Sequence, residues 1–160
     1  MKQVPQRILG NGHGGPYGDC FKCCVASILE CEYEDVPNFC DPAVHGDTHW
    51  WEFFREWLHR EHGLEALGWD HFVSEGGDWD FAPRPHETHD GYWMATVRSA
   101  VFGPHTYGDV FCATTHLVVM ANDKVVYDPS PFPHHTPYEF CGEMWFEDSE
   151  HEPWESRVTP

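Results

Sequence analysis

Two stretches of this chain carry apolar residues at helical spacing, and four others carry the short apolar runs of strands. Val25, Ile28 and Leu29 share one face of a 3.6-residue period and predict a helix over residues 20–30, entered just after the break at Gly18 and Asp19. Trp50, Phe54, Trp57, Leu58 and Glu61 follow the same spacing and predict a second helix over residues 48–61, with Gly63 as its stop. Trp51 and Phe53 widen the apolar stripe, so this helix packs on more than one side. Strands are predicted over 64–73, 92–97 and 114–121. Asn122-Asp123 supplies a tight turn, after which Lys124–Tyr127 returns as the partner of the preceding strand. Asp128-Pro129 ends that strand, because proline disfavours continuing the ladder.

The remaining segments read as connections. Residues 1–17 contain Gly10, Gly12, Gly14, Gly15 and Pro16 and form an irregular loop leading into the first helix. Residues 31–42 form a second loop, clamped to the core by Val36 and Phe39. The turn-rich 74–78 and Pro83-Arg84-Pro85-His86 suit a variable loop beside a binding cleft, without a catalytic role. From Glu143 onward the acidic sequence reads as a tail, either docked through Trp145, Phe146 and Trp154 or in part mobile.

Composition narrows the class. A chain of 160 residues, 41% of them hydrophobic and including eight Trp and eleven Phe, can bury one real core but hardly two, so residues 1–160 are expected to form a single domain with a glycine-rich N-terminal loop and an acidic C-terminal tail. A formal charge of −18 repels nucleic-acid backbones and anionic membranes and attracts basic segments of a partner. No segment approaches 18 uninterrupted apolar residues, and Met1 to Arg7 are not followed by the apolar core of a leader, so the expectation is a cytoplasmic protein. Seven cysteines, an odd set, read as free thiols in a reducing compartment. The oligomeric state is open.

Chemistry concentrates at the start of the first helix. Cys20 sits in the first turn, where free backbone N–H groups and the positive end of the helix dipole stabilise a thiolate and can face a developing oxyanion. Taken alone, such a cysteine fits a nucleophile, a structural thiol or a metal ligand. His116 begins one arm of the predicted hairpin and Asp128 ends the other, which brings the two together despite their separation in sequence. Asp128 can then orient the imidazole while its other nitrogen faces Cys20, making His116 both the base that generates the thiolate and the acid that protonates a leaving group. Asn11 and His13, in the glycine-rich loop, are the candidate oxyanion side chains.

Two rival readings use the same residues. Cys20 and Cys23 have zinc-ligand spacing, with Cys24, Cys31, Cys40 and many histidines available, but no second well-spaced pair completes the site, and His59 and His62 lack the metalloprotease pattern around them. No metal or other cofactor is therefore expected. The second rival is a catalytically weak or inactive module that holds a basic peptide or protein in an aromatic cleft.

The run Gly18-Asp19-Cys20-Phe21-Lys22-Cys23-Cys24-Val25-Ala26-Ser27-Ile28-Leu29, then Val36-Pro37-Asn38-Phe39, His116-Leu117-Val118-Val119-Met120 and Val126-Tyr127-Asp128-Pro129-Ser130-Pro131, resembles the papain-like cysteine peptidases, especially the small bacterial and phage-encoded branch near the bacteriocin-processing enzymes. The resemblance implies an α+β fold in which an N-terminal catalytic helix packs against a small antiparallel sheet. It implies Cys20 as nucleophile, His116 as general base and Asp128 as the residue that orients the histidine. It also implies a thiol protease, a peptidase or isopeptidase acting on a peptide or protein substrate, with a bacteriophage or bacterial origin. Transglutaminase-like acyl transfer would use the same three residues with an amine in place of water. Many papain-like enzymes place a glutamine a few residues before the nucleophile, and this chain has none there, so Asn11, His13, Asp19 or the Cys20 backbone N–H is left to serve the oxyanion.

Overall fold

The computed structural model describes residues 1–8, 18–71, 89–98, 105–107, 110–112, 115–131 and 138–148. The first predicted helix is present as α1, Cys20–Ile28. It buries Phe21, Cys23, Cys24, Val25 and Ala26, and ends where Glu30 takes a positive φ of 58°. A single turn of 3₁₀ helix, Tyr33–Asp35, interrupts the segment expected to be a loop, and a short α2, Pro42–His45, begins where that segment ends. Asp41 caps α2 by accepting the Ala43 N–H at 2.9 Å, and Pro42 lies at its first position, where no N–H is needed. Val36 and Phe39 are buried in the core, as expected of the clamp.

The second predicted helix is α3, Trp50–His62. Gly63 stops it in the left-handed region, with φ 66°, and donates its N–H to the His59 carbonyl at 2.9 Å. Phe21 of α1 meets Phe39, Trp50 and Phe54 edge-on, with ring centroids 5.8, 5.6 and 4.8 Å away, and Phe39 meets Trp57 at 5.1 Å. The aromatic run of α3 is thus mostly core, and it packs α3 against the start of α1.

Among the described residues seven strands follow: β1 Leu64–His71, β2 Trp93–Arg98, β3 His105–Tyr107, β4 Val110–Cys112, β5 Thr115–Ala121, β6 Lys124–Tyr127 and β7 Phe140–Asp148. Five form an antiparallel sheet in the order β1-β7-β2-β5-β6, and β3 pairs with β4 as a separate small hairpin that the sequence had not announced. Ala66, Met94, Leu117, Val119 and Met144 face the core shared with α1 and α3. Trp93, Ala95, Val97, Val118 and Met120, the alternate residues of β2 and β5, form a second cluster, which Phe140 joins beyond an irregularity in the β2–β7 register. Burial on both faces explains why β2 and β5 read as apolar runs rather than as alternation. The architecture is α+β, and no helix among the described residues is long and apolar enough to cross a membrane.

The main correction concerns the acidic tail. Residues 140–148 are not an appendage: β7 is an interior strand, bonded to β1 on one side and β2 on the other. Glu143 disguised it, since a carboxylate in the middle of a strand argues for solvent. Its side chain is only 6% exposed and accepts a hydrogen bond from His89 Nε2 at 3.2 Å, while the His89 ring stacks on Trp145 with centroids 3.8 Å apart. Trp145 and Phe146 do pack, as strand residues, and Trp154 lies outside the described residues, as do 74–78 and 83–86.

Candidate active site

The hairpin that carries the histidine is built from its turn. Asn122 and Asp123 both take positive φ, 48° and 62°, the conformation of a two-residue turn that matches the twist of its strands. Ala121 then opposes Lys124 and Val119 opposes Tyr127, with one irregularity between. His116 near the start of β5 and Asp128 just beyond β6 are thereby neighbours, as the sequence predicts. His116 Nε2 lies 2.7 Å from Asp128 Oδ1, and both side chains are largely buried, 11% and 17% exposed.

Helix α1 brings the cysteine. Cys24, one turn after Cys20, donates its thiol hydrogen to the Leu117 carbonyl at 3.4 Å, which fastens α1 to β5 beside His116. His116 bonds Asp128 and also feels Cys20, whose thiol stands close enough to shift its protonation. With Nε2 occupied by Asp128, Nδ1 is the nitrogen left for the thiol. Burial works against the imidazolium, but the Asp128 bond and the charges of Asp128 and Cys20 outweigh it and lift the His116 pKa to about 9. His116 therefore links the Asp128 carboxylate, by a hydrogen bond, to the Cys20 thiol, by electrostatic coupling.

The carboxylate is itself held. Asp128 Oδ1 accepts the Ser130 N–H at 2.8 Å across Pro129, and Oδ2 accepts the Tyr138 hydroxyl at 3.0 Å. Burial opposes ionisation of Asp128, yet the His116, Ser130 and Tyr138 bonds prevail and keep its pKa below the usual carboxylate value. An ionised Asp128 fixes the tautomer: Nε2 must carry a hydrogen to donate to it. The Asp-Pro-Ser sequence signals the turn that supplies the Ser130 N–H. Nothing near Tyr138 in sequence signals its role, because its contact depends on the chain returning to Asp128 from the approach to β7.

Asp19 serves differently from the expectation. Its carboxylate is fully buried and accepts the Arg7 N–H at 3.1 Å, the Ile8 N–H at 3.0 Å and the Tyr33 hydroxyl at 2.6 Å. A carboxylate filled by three donors has no hydrogen to offer an oxyanion. Instead it ties the segment entering the glycine-rich loop to the start of α1, and the Asp19 N–H returns a bond to the Ile8 carbonyl at 3.2 Å. Arg7 and Lys22 lie over the Tyr33 ring, 3.8 and 3.9 Å from its centroid, and brace that tyrosine. Asn11 and His13 lie outside the described residues. Among the described residues, the Cys20 N–H at the helix start is the backbone donor carried by the candidate nucleophile itself.

Cys23, Cys24 and Cys31 of the zinc reading face three separate backbone carbonyls, those of Pro5 at 3.5 Å, Leu117 at 3.4 Å and Leu29 at 3.6 Å. Among the described residues no group of three or more His, Cys, Asp or Glu side chains is arranged to hold a metal ion. No protein-family model matches the chain, and no curated protein or solved structure matches it.

Proposed function

We propose that this chain is a papain-like cysteine hydrolase, a peptidase or isopeptidase working through Cys20, His116 and Asp128. The observation that carries the reading is the convergence of these three groups: His116 is bonded to Asp128 and electrostatically coupled to Cys20, the first residue of α1. His116 takes the Cys20 proton on Nδ1, and the thiolate attacks an amide carbonyl. The tetrahedral oxyanion faces the first-turn N–H groups, His116 returns the proton to the leaving amine, and a thioester remains on Cys20. Water, deprotonated by His116, then releases the acid and restores the thiol. Asp128 stabilises the imidazolium that forms in each half-reaction. The charge of −18 favours substrates whose flanking segments are basic, and free thiols suit a reducing, cytoplasmic setting.

The test is release of fluorophore from a panel of peptide amides and lysine isopeptides carrying basic flanks. Release by the wild type that is abolished in Cys20→Ala and falls at least about 100-fold in His116→Ala is the expected result. Release that survives intact in Cys20→Ala refutes the assignment.

A further inference from the structure

Cys23 takes no part in the proposed hydrolysis, yet it lies one helical turn from Cys20. Residues three apart on a helix have Cα atoms within the span that a disulfide bridges, while their Cβ atoms, about 5–6 Å apart, must close to about 4 Å for the bond to form. The partner sits where its neighbour's reactivity is greatest: Cys20 opens α1, and a charge on Cys20 is felt by Cys23. Asp19 stays anchored to Arg7, Ile8 and Tyr33, so the closing movement falls within the first turn of α1. Asp19, the residue before the helix, makes no side-chain cap to it, so the first turn is held by the Cys23 N–H bond to the Asp19 carbonyl at 2.9 Å. Tightening that turn to 3₁₀ geometry brings side chains three apart into line. Cys23 Sγ has only a weak bond to give up, 3.5 Å to the Pro5 carbonyl. Cys24 is the poorer partner, being four residues away and fastened to Leu117.

We infer that Cys20 and Cys23 form an oxidisable dithiol, and that closing a Cys20–Cys23 disulfide by exchange with a low-molecular-weight disulfide switches the site off reversibly. The inference rests on the reading of Cys20 as the nucleophile. In the first step the Cys20 thiolate attacks one sulfur of the small disulfide, forming a mixed disulfide and expelling one thiolate. In the second, Cys23 loses its proton to solvent and attacks Cys20 Sγ, breaking the mixed disulfide and expelling the second thiolate. The dithiol gives up two electrons and two protons, and the small disulfide becomes two thiols. Burial pushes the Cys23 thiol up to about 12, so ring closure is the slow step and quickens as pH rises. The closed form takes the Cys20 sulfur away from His116 and has no nucleophile to offer.

The experiment equilibrates the full chain in glutathione buffers of increasing oxidised fraction, quenches it in acid, and maps the bonds by mass spectrometry. Labelling of Cys20 by a cysteine-directed electrophile is followed on matched samples. The inference expects a Cys20–Cys23 crosslink with the loss of two hydrogens, at least about a tenfold fall in labelling, and full recovery with reductant. Cys23→Ser and Cys23→Ala should instead hold glutathione on Cys20. A wild type that carries glutathione on Cys20 and no internal bond, or that links Cys20 to Cys24 or Cys40, overturns the inference. The two readings fail separately. If Cys20 shows no labelling dependent on His116, the hydrolase reading fails even where the crosslink forms at equilibrium. If labelling depends on His116 but no crosslink forms, only the switch fails.

Discussion

Replacing Asp128 by Asn tests the electrostatics of the site at one atom. The carboxylate takes the His116 Nε2 hydrogen at 2.7 Å, the Ser130 N–H at 2.8 Å and the Tyr138 hydroxyl at 3.0 Å. Together with Cys20 it raises the imidazole from its ordinary 6.5 to about 9 against the pull of burial. That difference corresponds to about 3 kcal/mol of preference for the protonated ring. In Asp128→Asn the burial remains, the Asp128 hydrogen bond and charge are gone and only Cys20 still opposes burial, so the His116 midpoint should fall below the wild-type value of about 9. Because the folded value lies above the unfolded one, the stabilisation His116 provides is complete below about 6.5 and is lost as pH rises through about 9. Wild type should therefore lose more stability than Asp128→Asn over that interval, while the buried thiols act alike in both proteins and cancel in the comparison. The assays are an NMR titration of the His116 ring carbon-bound hydrogens and urea unfolding at a series of pH values. An Asp128→Asn protein that still titrates near 9, or whose stability follows the wild-type curve from 6.5 to 9, refutes the reasoning.

Three further outcomes are expected. Tyr138→Phe removes one hydrogen bond to a charged acceptor and should lower stability by about 1.5–3 kcal/mol, read by urea unfolding. Asp19→Ala strands the Arg7 and Ile8 N–H groups and the Tyr33 hydroxyl, and should destabilise by about 3 kcal/mol or more in urea while slowing Cys20 alkylation, because the helix start loses its anchor. Gly63→Ala meets no atom within 4 Å, so only the strain of φ 66° is felt, and chemical denaturation should show a loss of about 1 kcal/mol with alkylation of Cys20 unchanged.

What the sequence disclosed follows from how local each signal was. Helix α3 was legible because its aromatic spacing and Gly63 are both local. The β5–β6 hairpin was legible because Asn122-Asp123 permits few other conformations, and with it came the meeting of His116 and Asp128. β7 was not, because a buried Glu143 looks like a surface residue until His89, far back in the chain, is placed beside it. Asp19 was misjudged for a related reason: its three donors come from residues 7, 8 and 33, and no spacing rule connects them. Tyr138 belongs to the same class. Contacts between polar groups distant in sequence decide the supports of this site, whereas the reacting groups stand on elements whose ends can be read locally.

The central claim is that Cys20 is activated by His116. The most direct measurement is intact mass after exposure to a limiting cysteine-directed electrophile, with peptide mapping, on wild type, Cys20→Ala and His116→Ala. The account predicts that label goes first to Cys20, ahead of Cys23, Cys24, Cys31, Cys40 and Cys141, and that its rate at neutral pH drops at least about tenfold without His116. Label spread over several cysteines, at rates that His116→Ala leaves unchanged, would contradict it.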